Sequence, residues 1–259
     1  MKIGFGLKTF AAAVVASTAL FLGATNSNAD MIYAINAGIS GHGQVQNAVN
    51  NLSALGHTVT TGNTLGDYSA YDQVWDLRYN GTLTGADTTA MGNFLSSGGS
   101  MYMTGEGSNF DTSRNLSLVN WVNSIGGGSI ALAGVGNGNE VFTAAGESLL
   151  NNNPNSFSSI TYNSARTLSS YGSGFLATES SPGSGVGSLI GWDFGQIAGA
   201  ANSRMLIGFD IEIFGNGINW TENMQTYLAK SATVPEPSTL LLLGSGITGL
   251  AFVRRKFSK

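Results

Sequence analysis

The sequence predicts an α/β fold: a mostly parallel sheet flanked by helices on both sides, with a looser, more β-rich second half. Three observations carry this prediction. Short apolar segments alternate with amphipathic segments through the first half. The apolar segments are continuous, as in strands that are buried on both faces. The amphipathic segments end at glycines, which commonly terminate helices.

The first half of the domain supplies four predicted strands and three predicted helices. Met31–Ile35 is short and apolar, so it predicts a buried strand. The next segment predicts a helix because its apolar residues, from Val45 to Leu55, recur at spacings of four and three, and Gly56 ends it. The remaining elements are predicted strands at 59–61, 71–77 and 100–104, and predicted helices at 84–95 and 116–125.

The second half is less regular. Residues 129–138 are rich in glycine, 151–155 predict a turn, and 178–187 predict a loop. Strands are predicted at 175–177, 188–193 and 205–214, and a final helix at 221–229 is expected to close the domain against Trp220.

The composition limits the partners and the chemistry. Residues 30–230 contain five basic and fourteen acidic residues, a formal charge of −9, which would repel nucleic acid. The chain has no cysteine, so thiol catalysis, thiolate metal sites and disulfides are excluded. Charged residues make up only 10% of the chain, and Gly, Ser, Asn and Thr are abundant. Such an uncharged polar surface is consistent with contact with sugars.

The N-terminal segment has the layout of a signal peptide, which we assign to residues 1–29. Lys2 and Lys8 form a basic start, residues 10–22 are apolar, and small residues precede the expected cleavage point. Cleavage by signal peptidase after Ala29 would leave Asp30 as the mature N-terminus. The alternative is a first transmembrane helix, which the short apolar run disfavours.

The C-terminal segment has three parts in a fixed order. A linker, residues 231–237, ends in Pro235-Glu236-Pro237, which excludes a helix at that point. Residues 238–259 then combine an uncharged apolar run, predicted to be a membrane helix, with the basic cluster Arg254-Arg255-Lys256. The run from 240 to 253 is shorter than the ~20 residues that span a bilayer core.

This tail resembles the PEP-CTERM sorting signal of Gram-negative bacteria in all three parts. The resemblance implies that an exosortase recognises the tail, cuts near the Pro-Glu-Pro triplet and passes the protein from the inner membrane to the cell surface or the extracellular matrix. The alternative is an ordinary single-span anchor that is never cleaved.

The central domain has a second resemblance. The element order, with a strand that breaks into the turn at 103–108, is similar to the flavodoxin-like class I glutamine-amidotransferase superfamily. That superfamily places a nucleophilic cysteine in this turn, where Glu106 or a neighbour stands here. Because the chain lacks cysteine, the resemblance implies a fold without the activity.

One group of polar residues suggests hydrolysis. His42 follows the first predicted strand, and Glu106 and Ser108 follow the fourth, so all three are predicted at the carboxyl edge of the sheet. Together with Asp76 they would supply a nucleophile, a base and an acid. The chain contains no Gly-x-Ser-x-Gly motif, and the alternative for His42 is a loop residue without a task. His57, beside Gly56, is interpreted as a turn residue.

Three acidic residues suggest a cation site or a glycosidase pair. Asp210 and Glu212 alternate on a predicted strand, where they would share a face, and Asp193 is a third candidate ligand. The alternative is that these acids meet solvent or cap a helix. No calcium-loop or nucleotide-binding motif occurs, and no cofactor or metal is expected.

Aromatic residues suggest a second way in which the domain would bind sugars. Tyr68, Tyr71, Tyr79 and Trp192 would stack on sugar rings if they were exposed, and core packing is the alternative.

The sequence therefore predicts an exported, non-enzymatic protein with a structural or adhesive role in the exopolysaccharide matrix or at the cell surface. The alternative function is a secreted hydrolase that acts on matrix polymers.

Overall fold

The computed structural model describes residues 29–107 and 112–229. Ten strands lie in these ranges: β1 (Met31–Ile35), β2 (Thr58–Gly62), β3 (Gln73–Asp76), β4 (Ser100–Thr104), β5 (Ile130–Phe142), β6 (Ile160–Tyr171), β7 (Phe175–Leu176), β8 (Thr178–Glu179), β9 (Leu189–Trp192) and β10 (Met205–Gly208). The helices there are α1 (Gly43–Ala54), α2 (Gly85–Ser96), α3 (Thr112–Ser124), α4 (Ala144–Leu149), a 3₁₀ helix (Ile211–Asn216) and α5 (Ile218–Leu228).

The larger sheet confirms the predicted, mostly parallel arrangement. Its seven strands lie in the order β2-β1-β3-β4-β10-β9-β7, and the first five are parallel. β9 runs antiparallel to both of its neighbours. A separate antiparallel sheet, β6-β5-β8, forms in the second half. The fold is therefore mixed α/β.

Helices cover both faces of the larger sheet because its strands are apolar on both sides. Ile32 and Trp75 belong to one buried cluster, which also contains residues of α1 and α5. Tyr33 and Val74, their neighbours in sequence, belong to a second cluster with residues of α2 and α3. Side chains alternate between the faces of a strand, so the continuous apolar runs fill two cores.

The second half corrects three expectations. All but the first residue of the glycine-rich stretch 129–138 belong to the long strand β5, and its partner β6 was not predicted at all. The pairing of β5 with β6 contains three irregularities in register, which disrupt the alternating pattern expected of a strand. The strand predicted at 205–214 ends at Gly208, and a 3₁₀ helix follows.

The predicted signal helix lies in residues 1–29, of which only Ala29 is described, and the predicted membrane helix lies wholly outside the described ranges. Among the helices of residues 29–107 and 112–229, none has the length and apolar character that a membrane span requires.

Candidate functional site

An ion-pair network joins the carboxyl ends of the central strands. Asp76, the fully buried last residue of β3, accepts hydrogen bonds from Arg78 at both oxygens, each at 2.8 Å. Arg114, buried on α3, donates from Nη2 to Asp76 Oδ2 at 2.9 Å and from Nε to the Thr104 carbonyl at 3.0 Å. Asp76 therefore connects β3 to both its own following loop and α3.

The two arginines keep Asp76 ionised. Burial alone would raise the pKa of the Asp76 carboxyl, but Arg114 and then Arg78 reverse this effect and hold its pKa below the ordinary value. Burial likewise disfavours the charged form of Arg78, yet Asp76 and Asp87 raise its pKa. These carboxylates and guanidinium groups form ion pairs with one another, so they make a structural network whose charges balance.

Asp87 extends this network to the start of α2. It forms a capping box with Thr84: the Asp87 N–H donates to Thr84 Oγ1 at 3.1 Å, and the Thr84 N–H donates to Asp87 Oδ2 at 2.7 Å. Asp87 Oδ1 also accepts from Thr64 Oγ1 at 2.5 Å and from Arg78 at 3.2 Å. The carboxylate of Asp87 is thus fully occupied by protein donors.

A cleft of about 390 Å³ opens beside this network. It lies beyond the carboxyl ends of β1, β2 and β3, where β1 has β2 on one side and β3 on the other. Open α/β sheets bind ligands at such a reversal of strand order. The residues that matter here are Asn63, Thr64, Leu65, Arg78, Thr84 and Asp87.

The opposite charges in the lining of this cleft balance each other, and its accessible surface is mainly apolar. Arg78 is partly exposed, with 17% of its side chain accessible, and its charge is compensated by Asp76 and Asp87. The Asn63 carbonyl accepts from Tyr33 Oη at 2.7 Å, which fixes the loop, and its side-chain amide makes no hydrogen bond to another described residue. The cleft therefore combines a mainly apolar surface with the side-chain amide of Asn63.

Of the three candidate catalytic residues, His42 has a structural task. It is the N-cap of α1, and its Nδ1 accepts from the Gln44 N–H at 3.3 Å. Its ring packs against Tyr79 with centroids 5.0 Å apart. Asp76, the acid predicted to act with it, is held by arginines at both oxygens.

Glu106 does lie at the end of β4, where it is 6% exposed. Its Oε1 accepts from the Gly107 N–H at 2.7 Å, while Asn115 bonds both its backbone N–H and its carbonyl. Ser108 lies outside the described residues, so the structure does not bring the predicted trio together.

The predicted face shared by Asp210 and Glu212 is wrong, because β10 has already ended. Asp210 caps the 3₁₀ helix by accepting from the Glu212 N–H at 2.9 Å, and its other oxygen accepts from the Asn163 N–H at 2.6 Å. Asp193 pairs instead with Arg204 at 2.7 Å. Within residues 29–107 and 112–229, no group of three or more His, Cys, Asp or Glu side chains is placed to hold a metal ion.

All four aromatic residues pack in or against the hydrophobic cores, and Tyr71 and Tyr79 do so as partly buried side chains. Tyr68 and Trp192 are buried, at 2% and 0% exposure, which confirms the alternative of core packing for these two.

His57, which follows α1, contacts the residue before β1. Its Nδ1 accepts a hydrogen bond from the Asp30 N–H.

Sequence reasoning missed Arg78, Asp87 and Arg114 as members of one network. A signal was available: Thr84 and Asp87 have the spacing of a capping box, and the domain contains so few basic residues that each one close to a predicted strand end was informative.

The fold and the site together define an α/β domain with a ligand-sized cleft at the carboxyl edge of a mostly parallel sheet. The tail gives the more particular assignment: residues 233–256 match the PEP-CTERM protein-sorting motif. The chain is therefore an exported protein that carries the sorting motif recognised by exosortase.

Similar folds occur in several solved structures. The mmIFT52 N-terminal domain has a TM-score of 0.52 at 12% identity, covering 76% of this chain and 93% of that one. The exo-β-1,4-mannosidase Op5Man5 from Opitutaceae bacterium strain TAV5 has a TM-score of 0.51 at 9% identity, covering 87% of this chain and 40% of that one. A β-galactosidase from Rahnella sp. R3 has a TM-score of 0.51 at 12% identity, covering 80% of this chain and 32% of that one.

These similarities describe the fold alone. The chain spans less than half the length of the two glycosidases. No curated protein matches the chain. The comparisons also do not support the resemblance to the flavodoxin-like class I glutamine-amidotransferase superfamily.

Proposed function

We propose that the exported domain is a non-enzymatic component of the cell surface or the extracellular matrix, with an adhesive or structural role, and that its cleft contacts the sugars of the exopolysaccharide. The observation that carries the proposal is the sorting motif at residues 233–256, which supports export of the protein.

Two features of the site support a binding role. Asp76, Arg78, Asp87 and Arg114 are engaged with one another, so these charges stabilise the edge of the sheet. The neighbouring cleft combines the apolar surface of Leu65 with amide and hydroxyl groups. Apolar walls with a few placed polar groups are typical of small-ligand sites.

Sorting is tested by intact mass. Pro235 and Pro237 should be replaced together by Ala in the bacterium, with Pro182→Ala as a control in an exposed loop of the domain. The wild type and the control should lose the basic cluster at 254–256, whereas the double variant should remain uncut in the cell envelope. Wild-type protein recovered outside the cell that still contains Phe257 and Lys259 would contradict processing.

Adhesion is tested with the processed protein and purified exopolysaccharide from the same bacterium. Asn63→Ala should weaken binding about fivefold, the effect of losing one hydrogen bond of about 1 kcal/mol. Asn93→Ala, exposed on α2 and away from the cleft, is the matched control. Equal affinities for the two variants would reject the cleft as the contact, and absence of binding by the wild type would reject the sugar role.

A secreted hydrolase is the second candidate, favoured by the position of Glu106 at the carboxyl end of β4. It would use His42, Glu106 and Ser108 on matrix polymers. Hydrolysis of esters, peptides and the purified polymer should be compared between the wild type and Ser108→Ala, and equal rates would dispose of this candidate.

A further inference from the structure

Asp30 connects the start of β1 to three other elements. Its Oδ2 accepts from Gln73 Nε2 at 2.8 Å, at the start of β3, and from Gln225 Nε2 at 2.6 Å, on α5. Its carbonyl accepts from the Thr58 N–H at 3.0 Å, at the start of β2. Asp30 is thus an integral part of the folded domain, while Ala29 before it is exposed.

The backbone nitrogen of Asp30 lies in a negative corner of the domain. It donates to His57 Nδ1 at 3.2 Å, and the next backbone N–H, of Met31, donates to Asp72 Oδ2 at 2.9 Å. Burial, and then the neighbouring Asp72, raise the pKa of the Asp30 carboxyl. Burial lowers the pKa of His57, an effect that Asp30, Gln225 and Glu222 partly oppose, and its Nδ1 accepts a hydrogen bond from the Asp30 nitrogen.

We propose that the amino group created when the Ala29–Asp30 bond is cut becomes a structural cation of the mature domain, held by His57 and by the carboxylates of Asp30 and Asp72. The inference rests on removal of the signal peptide, which the proposed export requires. Hydrolysis adds water across this bond: Ala29 leaves with the new carboxylate, and Asp30 keeps its nitrogen as an ammonium group.

Cleavage at this bond changes the electrostatics of the corner. In the precursor the Asp30 nitrogen is a neutral amide. In the mature protein it is an amine with an ordinary pKa of about 8, so it is mainly protonated at pH 7 and still donates to His57. The new charge attracts the two carboxylates, which otherwise repel each other, so processing stabilises the strand edge from which β1, β2 and β3 begin.

The ammonium group stabilises the folded protein, and this determines how its contribution depends on pH. Because the ammonium form is favoured in the folded protein, the α-amine pKa should rise on folding. Its contribution is then fully present below the ordinary pKa of about 8 and is lost as the pH rises through the folded value. The groups that face it are Asp30, Asp72 and His57, with Glu222 close to the imidazole.

The experiment compares three forms of the protein at pH 7: one that begins at Asp30, the same form acetylated at its α-amine, and one that retains Ala29 and so moves the charge by one residue. The acetylated and Ala29 forms should each have a folding equilibrium constant about fivefold lower or more. The deficit of the acetylated form should shrink in the Asp72→Asn background and above the pKa of the amine.

Two results would overturn the proposal. Equal urea midpoints for the three forms would show that the amino group has no structural role. N-terminal sequencing that finds a different first residue in protein recovered outside the cell would show that the group is never formed. Surface or matrix location is measured separately, by fractionation, so a failure of the proposed function is distinguishable from a failure of this inference.

Discussion

Asp76 is the residue on which the carboxyl edge of the sheet most depends. It is fully buried, and it balances the charges of two arginines that come from different elements. Removing one partner of a buried ion pair lowers the free energy of unfolding strongly, because the remaining charge stays buried without a compensating charge.

Replacing Asp76 by Asn should lower the free energy of unfolding by about 3–5 kcal/mol, since Arg114 would remain buried beside a neutral amide. Urea denaturation at pH 7 measures the change. Asp67→Asn is the control: Asp67 is exposed and bonds only Ser69 among the described residues, so its midpoint should not move. A small effect of Asp76→Asn would show that the network adds little to stability.

Asp210 should make stability depend on pH in the opposite way to a paired carboxylate. Burial raises its pKa from 3.8 to about 6, although the N–H groups of Glu212 and Asn163 partly oppose this. The folded protein therefore holds the proton more tightly than the unfolded chain. The contribution of Asp210 to the free energy of unfolding should fall as the pH rises from about 4 to about 6 and then level off.

Asp210→Asn should flatten this decline by about 2–3 kcal/mol, as a shift of this size implies. Unfolding midpoints in urea between pH 4 and pH 8 give the two curves. Parallel curves for the variant and the wild type would contradict the assignment to Asp210.

Individual roles were harder to predict than residue positions. The sequence placed His42 and Glu106 at the ends of strands that the structure confirms, but capping and burial depend on contacts made after folding. Nothing in the local sequence around Asp76 shows that Arg114, 38 residues later, will reach it.

At the scale of elements, the turn after β4 and the long strand β6 meet without room for a side chain. A Cβ added to Gly107 would lie 2.0 Å from the Ser164 carbonyl oxygen. The two sheets therefore approach each other at a backbone contact, which only glycine permits.

Gly107→Ala should destabilise the protein by about 1–3 kcal/mol, because either the turn or β6 must move. Gly134→Ala is the matched control, since an added Cβ there meets nothing within 4 Å. Thermal unfolding compares the two variants, and similar midpoints would mean that the turn adapts freely.

The elements that the sequence predicts most accurately are those with a regular hydrophobic pattern. β1 and β4 are short and mainly apolar, so they and the helices between them were predicted closely. β5 and β6 were not, because the bulges and glycines of β5 remove the alternation by which a half-buried strand is recognised. β10 ends early because Asp210 captures a backbone N–H.

At the scale of the whole molecule, the net charge of residues 30–230 limits which polymers the domain can bind. With five basic and fourteen acidic residues, it should not retard duplex DNA in a gel-shift assay even at low salt, where binding to phosphates is strongest. A retarded band that disappears with added salt would show a basic surface that the sequence does not indicate.

The two ends of the described domain meet at one side of the sheet. Asp30 bonds Gln225 of α5 at the amino edge of the strands, and the chain continues from α5 towards the sorting motif. The cleft opens at the other end of the same strands, roughly 16 Å away for five residues at ~3.3 Å each. Under the proposed role, a sugar chain bound in the cleft would therefore lie at the opposite end of the sheet from the residue at which the described chain ends.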